Sequence, residues 1–511
     1  MRLLFTIYIL IGLSLSLISQ NTDDALRYSY LTPSGTARVV GAGSSFGSLG
    51  GDIGVANINV AGLAEFRSRE ISVSGIFVNP NATNTFNGQQ VGQTSDGREV
   101  KFDNLGFVSH KKPLGSKLKT SNWFVGLQNI ADFDELFSYR ATSVGSITER
   151  FADDLNFELE NGGSSNNLNP FDALLAFRSE AIRIAEPFNF AYTDLSVLEI
   201  DPVFGDTIAI DNLTDLQTNK QEIIDRRGGI NEFQVAWAGK LNSGLNLGVG
   251  LGVPFVSYTE NRFYQEDGVG NTGFQTLNFD QSLTTSGTGF NLKLGVGYNI
   301  KKKYRLALAF QSPTFYRLAD TFTTTFLYSC DSCGAPNLQR SPNGEFDYRL
   351  RTPMRITASI GSLLIIKEVR GFFNIDVHYI DLTQNSFNFT ASQFSTPADE
   401  EAQDFENQII DEDLGSGFNI NVGGELGYKK LRGRLGVATQ FRPFRNELGN
   451  VLTLAGGLGY RANRIYVDAA IQFRTEEEGY VPYLALTEER DLELLNEVSL
   501  TRIILTVGFK I

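Results

Sequence analysis

The sequence predicts an all-β protein: a fourteen-stranded antiparallel transmembrane β-barrel whose lumen is plugged by an N-terminal hatch of short helices. Three observations carry that prediction. Apolar and polar residues alternate at period two through most of the chain, the strands so marked come to an even number, and their connections sort alternately into short and long.

The clearest alternation is "GFNLKLGVGYNIKKKYRLALAF", from Gly289 to Phe310. Phe290, Leu292, Leu294, Val296, Tyr298 and Ile300 fall on one face, with Asn291, Lys293, Gly295, Gly297 and Asn299 between them. After a Lys-rich turn the apolar face resumes with Tyr304, Leu306, Leu308 and Phe310. Period two means two antiparallel strands. The face of charge, amide and glycine suits a lumen, and the apolar face suits lipid.

The same pattern predicts strands near 69–78, 101–110, 121–131, 230–240, 244–262, 273–300, 303–326, 345–364, 370–389, 415–430, 432–443, 450–461, 464–474 and 498–511. An even count is what a single-chain bacterial barrel requires. The connections 111–120, 241–243, 301–302, 365–369, Leu431 and 462–463 are mostly short, as periplasmic turns are. The alternate set, 79–100, 132–229, 263–272, 327–344, 390–414, 444–449 and 475–497, is mostly long, as outer loops are. A soluble sandwich has no reason to sort its loops this way.

Composition agrees with a barrel. The chain of 511 residues holds 51 Gly and 12% aromatics, and 20% of its residues are charged. Strands that show lipid only at every second position hide from hydropathy. The formal charge of -14 argues against a nucleic-acid partner, which needs cationic patches. With two His and two Cys, metal or haem ligation is poorly supplied, and no metal or other cofactor is expected. Cys330 and Cys333, in C-D-S-C, have no second CxxC pair; they read as a local loop disulfide or as free thiols.

Met1-Arg2, an apolar stretch from Leu3 to Ile18 and then Ser19-Gln20-Asn21 describe a signal peptide over 1–19. The apolar stretch is short for a helical span, which needs about 20 residues. The expected address is the outer membrane of a Gram-negative bacterium. Outer-membrane lipid surrounds such a barrel, and the assembly machinery is expected to read its terminal strand, "SLTRIILTVGFKI". Residues 20–68, rich in Gly, Ala and Ser and without alternation, form the hatch, and 69–511 the barrel.

"GTARVVGAGSSFGSLGGDIGVANINVAGLAEF", Gly35 to Phe66, resembles the N-terminal hatch of FadL-type outer-membrane transporters for long-chain fatty acids and other hydrophobic compounds. The family's Asn-Pro-Ala motif is matched by Asn59-Val60-Ala61-Gly62, with Val60 in place of the proline. "GTGFNLKLGVGYNIKKKYRLALAFQSPTFY" is similar to a family strand pair through Gly289, Asn291, Gly295, Tyr298, Arg305 and Ser312. The resemblance covers essentially the whole mature chain. It implies a hatch inside a fourteen-stranded barrel, capture of a hydrophobic ligand among outer loops, a lumenal pocket, and release when the hatch shifts. Exit sideways beside a kinked strand is part of that implication.

Individual residues follow from this frame. Asn59, with Ala61 and Gly62, is the hatch position expected to tie hatch to wall; the alternative is an ordinary Asx turn. "GAGSSFG" (Gly41–Gly47) lacks the flanking βαβ unit of a dinucleotide loop and reads as hatch packing. Within the 132–229 loop, "NPFDALLAFRSEAIRIAEPF" reads as a helix bounded by Pro170 and Pro187, an outer lid or capture wall with Phe171, Leu174 and Phe177, or simply a packed helix. Lys293, Arg305, Arg355 and His378 are candidate lumenal cations for a carboxylate head; the alternative is a salt-bridge ladder with Asp376, Glu425 and Asp468. Pro254, inside a strand, marks a bulge and a candidate lateral gap.

No catalytic set emerges, since a Ser-His-acid triad would have to use His110 or His378. The reading is therefore not an enzyme but an outer-membrane transporter, taking up long-chain fatty acids or other hydrophobic small molecules by passive, hatch-gated diffusion. The rival is a barrel serving as a binding scaffold in protein secretion or surface attachment, and a plain porin is a third. A transporter calls for an apolar cavity beneath the outer loops, a scaffold for an exposed recognition surface, a porin for an open polar channel.

Overall fold

Alternating strands bury their backbone polar groups only if the sheet has no edge, and in a membrane that means closure. The computed structural model describes residues 22–31, 34–94, 99–114, 116–185, 189–200, 207–211, 215–270, 273–301, 303–331, 333–390, 396–447, 449–484 and 492–511. The signal-peptide segment lies outside them. Among the described residues a closed antiparallel barrel of 14 strands is formed.

The wall strands are β1 Glu70–Phe86, β2 Glu99–Lys111, β3 Leu118–Asp132 resuming as Glu135–Val144, β4 Gln217–Leu241 and β5 Leu245–Gly268. There follow β6 Phe274–Ile300, β7 Tyr304–Gln311 resuming as Phe315–Cys330, β8 Gly344–Arg351 resuming as Arg355–Ile366, and β9 Val369–Asp381. β10 Ser416–Tyr428, β11 Leu431–Phe441, β12 Asn450–Arg461, β13 Ile465–Tyr480 and β14 Leu494–Lys510 complete the wall. Each strand pairs with the next, and β14 closes on β1 from Glu70↔Lys510 to Thr85↔Leu495. Every strand expected from the alternation is present.

The apolar face of the strand pair 289–310 is turned outward. Phe290, Leu294, Tyr298, Tyr304, Leu306 and Leu308 are exposed on the outside, whereas Asn291 and Lys293 are buried inside. The outer belt ends at the periplasmic side in Tyr298, Tyr304, Tyr428 and Tyr460. Lys303 stands 5.2 Å from the Tyr304 ring and Lys429 5.1 Å from the Tyr428 ring. Amphipathic rings with cations at the water edge are an interfacial girdle. A closed barrel with this belt is an outer-membrane barrel.

Four strands run far past the belt. β4 begins at Gln217, not near 230, and β5 reaches Gly268, not 262. Outward positions there are Ser257, Thr259, Asn261, Ser282, Thr284, Thr321 and Thr323, a water-facing surface. Against the inner side of this extension the long loop folds as a cap. Helix Ile147–Glu160 and helix Ala173–Arg178 bury Phe151, Leu155, Leu174 and Leu175 against Leu277, Phe279, Phe326 and Tyr328. The helix expected across 169–188 is thus only Ala173–Arg178. Ser179 caps it, Glu180 takes φ 67°, and Ile182–Ala185 then pairs as a strand with Phe190–Thr193. A left-handed residue at the end of a helix stops it as a C-cap does.

Three wall strands carry breaks. β3 is interrupted at Phe133–Asp134, where the Phe133 N–H donates to Gly228 O at 3.0 Å. β7 breaks at 312–314 and β8 at 352–354, and the two breaks face each other: the Thr352 N–H donates to Thr314 O at 3.0 Å. The β5–β6 ladder skips Val253 and Pro254, between Gly252↔Asn291 and Phe255↔Thr288. Proline lacks the donor a ladder needs, and it occupies three of these places as Pro254, Pro313 and Pro353.

Candidate functional site

The hatch sits in the lower lumen because small residues on both sides let backbone meet backbone. A Cβ on Gly248 would lie 2.5 Å from Ala61 N, one on Gly43 would lie 2.7 Å from Val437 N, and one on Gly423 or Gly436 would overlap Ala42. Wall side chains then take up the hatch backbone. Asp376 accepts from Phe46 N–H (2.7 Å) and Gly47 N–H (2.9 Å). Gln128 donates to Ile53 O (3.2 Å), Gln234 to Ala56 O (3.1 Å), Thr120 to Ala64 O (2.9 Å) and Asn122 to Leu63 O (2.7 Å). Buried backbone groups must be paired, and here the wall pairs them.

Among the described residues Asn59 bonds within the hatch and not to the wall. Its Nδ2 donates to Gly47 O at 2.7 Å and its Oδ1 accepts from Ala61 N–H at 3.0 Å, both within the hatch. It caps the 3-10 turn Val60–Glu65. Val60 stands at the first helical position, where the N–H has no intrahelical acceptor, so a proline there is dispensable. What Asn59 does to the wall is steric: a Cβ on Gly295 would collide with its Oδ1. Gly62 packs against Val55 inside the hatch, where a Cβ would come within 2.7 Å.

Of the four candidate cations, three converge and one does not. A cavity of about 130 Å³ is lined on the wall side by Lys293, Arg355 and His378 and on the hatch side by Asn57, Ile58 and Val60. Lys293 is bound by Glu232 and donates to Asn57 Oδ1 at 3.1 Å. His378 Nδ1 meets Thr357 Oγ1 at 2.8 Å. Arg355 donates to Ser29 O and enters no ion pair among the described residues. Arg305 lies elsewhere, donating to Leu49 O and standing 3.8 Å from Glu65, which also accepts from Lys240, Asn246 and Asn299 at 2.8 Å each. The ladder alternative holds at another place: Glu425 joins Arg38 (3.0 Å) and Arg434 (2.7 Å), and Arg434 joins Asp468 (2.7 Å). The inner cavity also touches Leu294 and Phe310, a cross-strand pair on the lipid side of the wall just below the break in β7.

Above the hatch is a chamber of about 950 Å³. It is not the plainly apolar space the sequence reading called for. Arg226 pairs with Glu135 and Glu260 at 2.7 Å each, and Arg474 with Glu476 at 2.6 Å, among aromatic panels that include Phe133, Tyr258 and Tyr480. Phe171 lines it, its ring 4.6 Å from that of Phe322. Leu174 is buried in the cap core instead, and Phe177 packs on that core. The helix Thr22–Ser29 lies in this chamber, so Tyr30 lines the outer space and Leu31 the inner one. No signal in the sequence placed this segment as a partition.

Cys330 and Cys333 are joined as a disulfide beside Arg183 and Asp194, which pair at 2.9 Å. These sulfurs and the Asp194 carboxylate form the metal-like grouping among the described residues, but a disulfide supplies no thiolate ligand.

No protein-family model and no curated protein matches the chain. Solved structures do. A Pseudomonas aeruginosa FadL homologue is similar over 94% of this chain and 99% of its own, with a TM-score of 0.51 at 11% identity. The Pseudomonas putida toluene transporter TodX (TM-score 0.48, 12% identity, 94% and 99% covered) and the Ralstonia pickettii toluene transporter TbuX (0.48, 11%, 94% and 98%) are also similar. At such identity the first likeness shows the fold: the chain has the fold of FadL-type barrels.

Proposed function

We propose that this barrel carries hydrophobic small molecules with an acidic head, long-chain fatty acids foremost, inward across the outer membrane by passive, hatch-gated diffusion. The observation that carries the reading is the inner cavity, where Arg355 offers a lumenal guanidinium without a carboxylate partner among the described residues, in a space also lined by His378 and by the hatch residues Ile58 and Val60. A half-buried cation lacking an ion pair favours a bound anion. A guanidinium fork suits a carboxylate.

Size supports the gating part of the reading. Ligand pockets commonly measure roughly 300–1,000 Å³, and about 130 Å³ holds a head group rather than a chain. The hatch side of the cavity, and the Arg355–Ser29 bond that pins the segment above it, are therefore the parts that give way as a tail enters. In the outer chamber paired charges and aromatic panels suit an amphiphile in transit.

The test is binding of a labelled long-chain fatty acid to the purified, folded barrel, beside Arg355→Gln and Arg355→Lys. Saturable binding that weakens about tenfold in the Gln variant, a change of about 1.4 kcal/mol, and recovers in part with Lys supports the reading. Intact protein that binds neither fatty acids nor other hydrophobic compounds overturns it. A second reading, an attachment scaffold, draws on the folded cap and the strands standing beyond the lipid belt; it survives that failure.

A further inference from the structure

One charged patch on the outer face of the wall has no internal partner. Arg317 on β7 and Arg349 on β8 stand directly opposite each other, and Arg351 is opposite Phe315 on the same face. All three are exposed. Residues so paired have Cβ atoms about 4.5–5.5 Å apart, and like charges there repel. Among the described residues none of the three forms an ion pair or a side-chain hydrogen bond, whereas Arg226, Arg262 and Arg474 of the lumen each meet a carboxylate. The acids of the same strand, Asp347 and Glu345, lie farther out, opposite Ala319 and Thr321.

Height gives the patch its meaning. Phe315 and Phe290 are cross-strand neighbours, 52% and 51% exposed, and they top the lipid-facing run of Leu308 and Leu306. One row farther out the ladder reads Thr288 opposite Arg317, Arg317 opposite Arg349, and Arg349 opposite Asn388. Beyond it come Thr321 and Thr323, which face water. The row is the first polar one above the belt, at the level of lipid head groups.

We propose that this row binds the phosphorylated sugar head of an outer-leaflet glycolipid of the lipid A type. Arginine forks take the phosphate, which relieves the Arg317–Arg349 repulsion. The Thr288 hydroxyl and Asn388 amide face the sugar, and the acyl chains lie on Phe290 and Phe315. The occupant is a lipid because the aromatic pair and the arginines form one continuous surface across the membrane boundary.

Native mass spectrometry of the folded barrel in detergent, titrated with lipid A, tests this. The variant is Arg317→Gln/Arg349→Gln/Arg351→Gln, with heat-modifiable gel migration as the check that it folds. One tightly held lipid A, lost about tenfold in the variant and about tenfold for dephosphorylated lipid A, is the expected result, equivalent to about 1.4 kcal/mol. Equal occupancy in variant and wild type overturns the proposal. So does phosphatidylglycerol binding as tightly as lipid A, which reduces the patch to general anion attraction, and so does displacement by inorganic phosphate at equal concentration, which makes free phosphate the ligand.

Discussion

The carboxylate of Asp376, on β9 of the wall, accepts the backbone N–H of Phe46 at 2.7 Å and so holds the turn at the centre of the hatch. The same carboxylate takes Gly47 N–H at 2.9 Å. Asp376→Ala leaves two buried donors without acceptors, each costing about 1–3 kcal/mol. Hydrogen exchange at residues 45–48 should quicken far more than in the β-ladders. Unchanged exchange there would mean the turn is held by packing alone.

The glycine seam predicts a contrast within one strand. Gly436 faces Gly43 so closely that a Cβ would overlap it, whereas a Cβ on Gly433 meets nothing within 4 Å. Gly436→Ala should displace the hatch at about 1–3 kcal/mol, as overpacking does, and make it open to protease. Gly433→Ala should behave as wild type. Equal protease resistance in both would place the hatch away from this wall.

How far these features were legible depended on what makes a signal in one dimension. Strand existence was legible, since Leu245, Leu247, Val249 and Leu251 must alternate to face lipid. The outer half of β4 was not: Asn219 and Gln221 point out while Lys220 and Glu222 point in, so both faces are polar and period two vanishes. Of the four cations read as lumenal partners, three meet in one cavity, but Arg305 falls at another height, and height is set by register between strands, which no single sequence displays. The small-residue run foretold a packed hatch. It carried no sign that Asn59 would bond inward rather than to the wall.

A pH dependence follows from Glu406, on the outer helix Pro397–Asp413. Burial, with the Asp24 carboxylate adding to it, pushes this carboxyl up to about 7. An unfolded glutamate titrates near 4.5, so between those values the folded protein holds the extra proton. Stability is therefore fully present below about 4.5, falls as pH rises through the window, and carries the whole penalty above about 7. Proteolytic release of this helix should be easier at pH 8 than at pH 5, and Glu406→Gln should flatten the difference. A helix equally resistant at both pH values would rule the linkage out.

If the barrel carries cargo as proposed, two seams are candidates for the way out of the lumen, and they can be locked separately. Between β2 and β3 the ladder stops at Asn104↔Gln128, and above it Lys101 bridges to Asp132 at 2.8 Å and to Asp134. Between β6 and β7 the ladder stops at Lys293↔Gln311, beside Leu294 and Phe310, which the inner cavity touches. Paired positions lie close enough for a disulfide, whose Cα atoms sit about 4.4–6.8 Å apart. Leu294→Cys with Phe310→Cys should therefore cross-link the second seam, and Leu105→Cys with Leu127→Cys, the pair next to the last rung, the first. If cargo leaves sideways beside the cavity, oxidising the Leu294/Phe310 pair stops uptake into the cell, reduction restores it, and the Leu105/Leu127 lock leaves it intact. The reverse pattern assigns exit to the kink in β3, where the charged bridge would then be the latch. Uptake unaffected by either lock would rule out both seams and leave the gap in the β5–β6 ladder at Val253 and Pro254, or passage downward past the hatch, as the route.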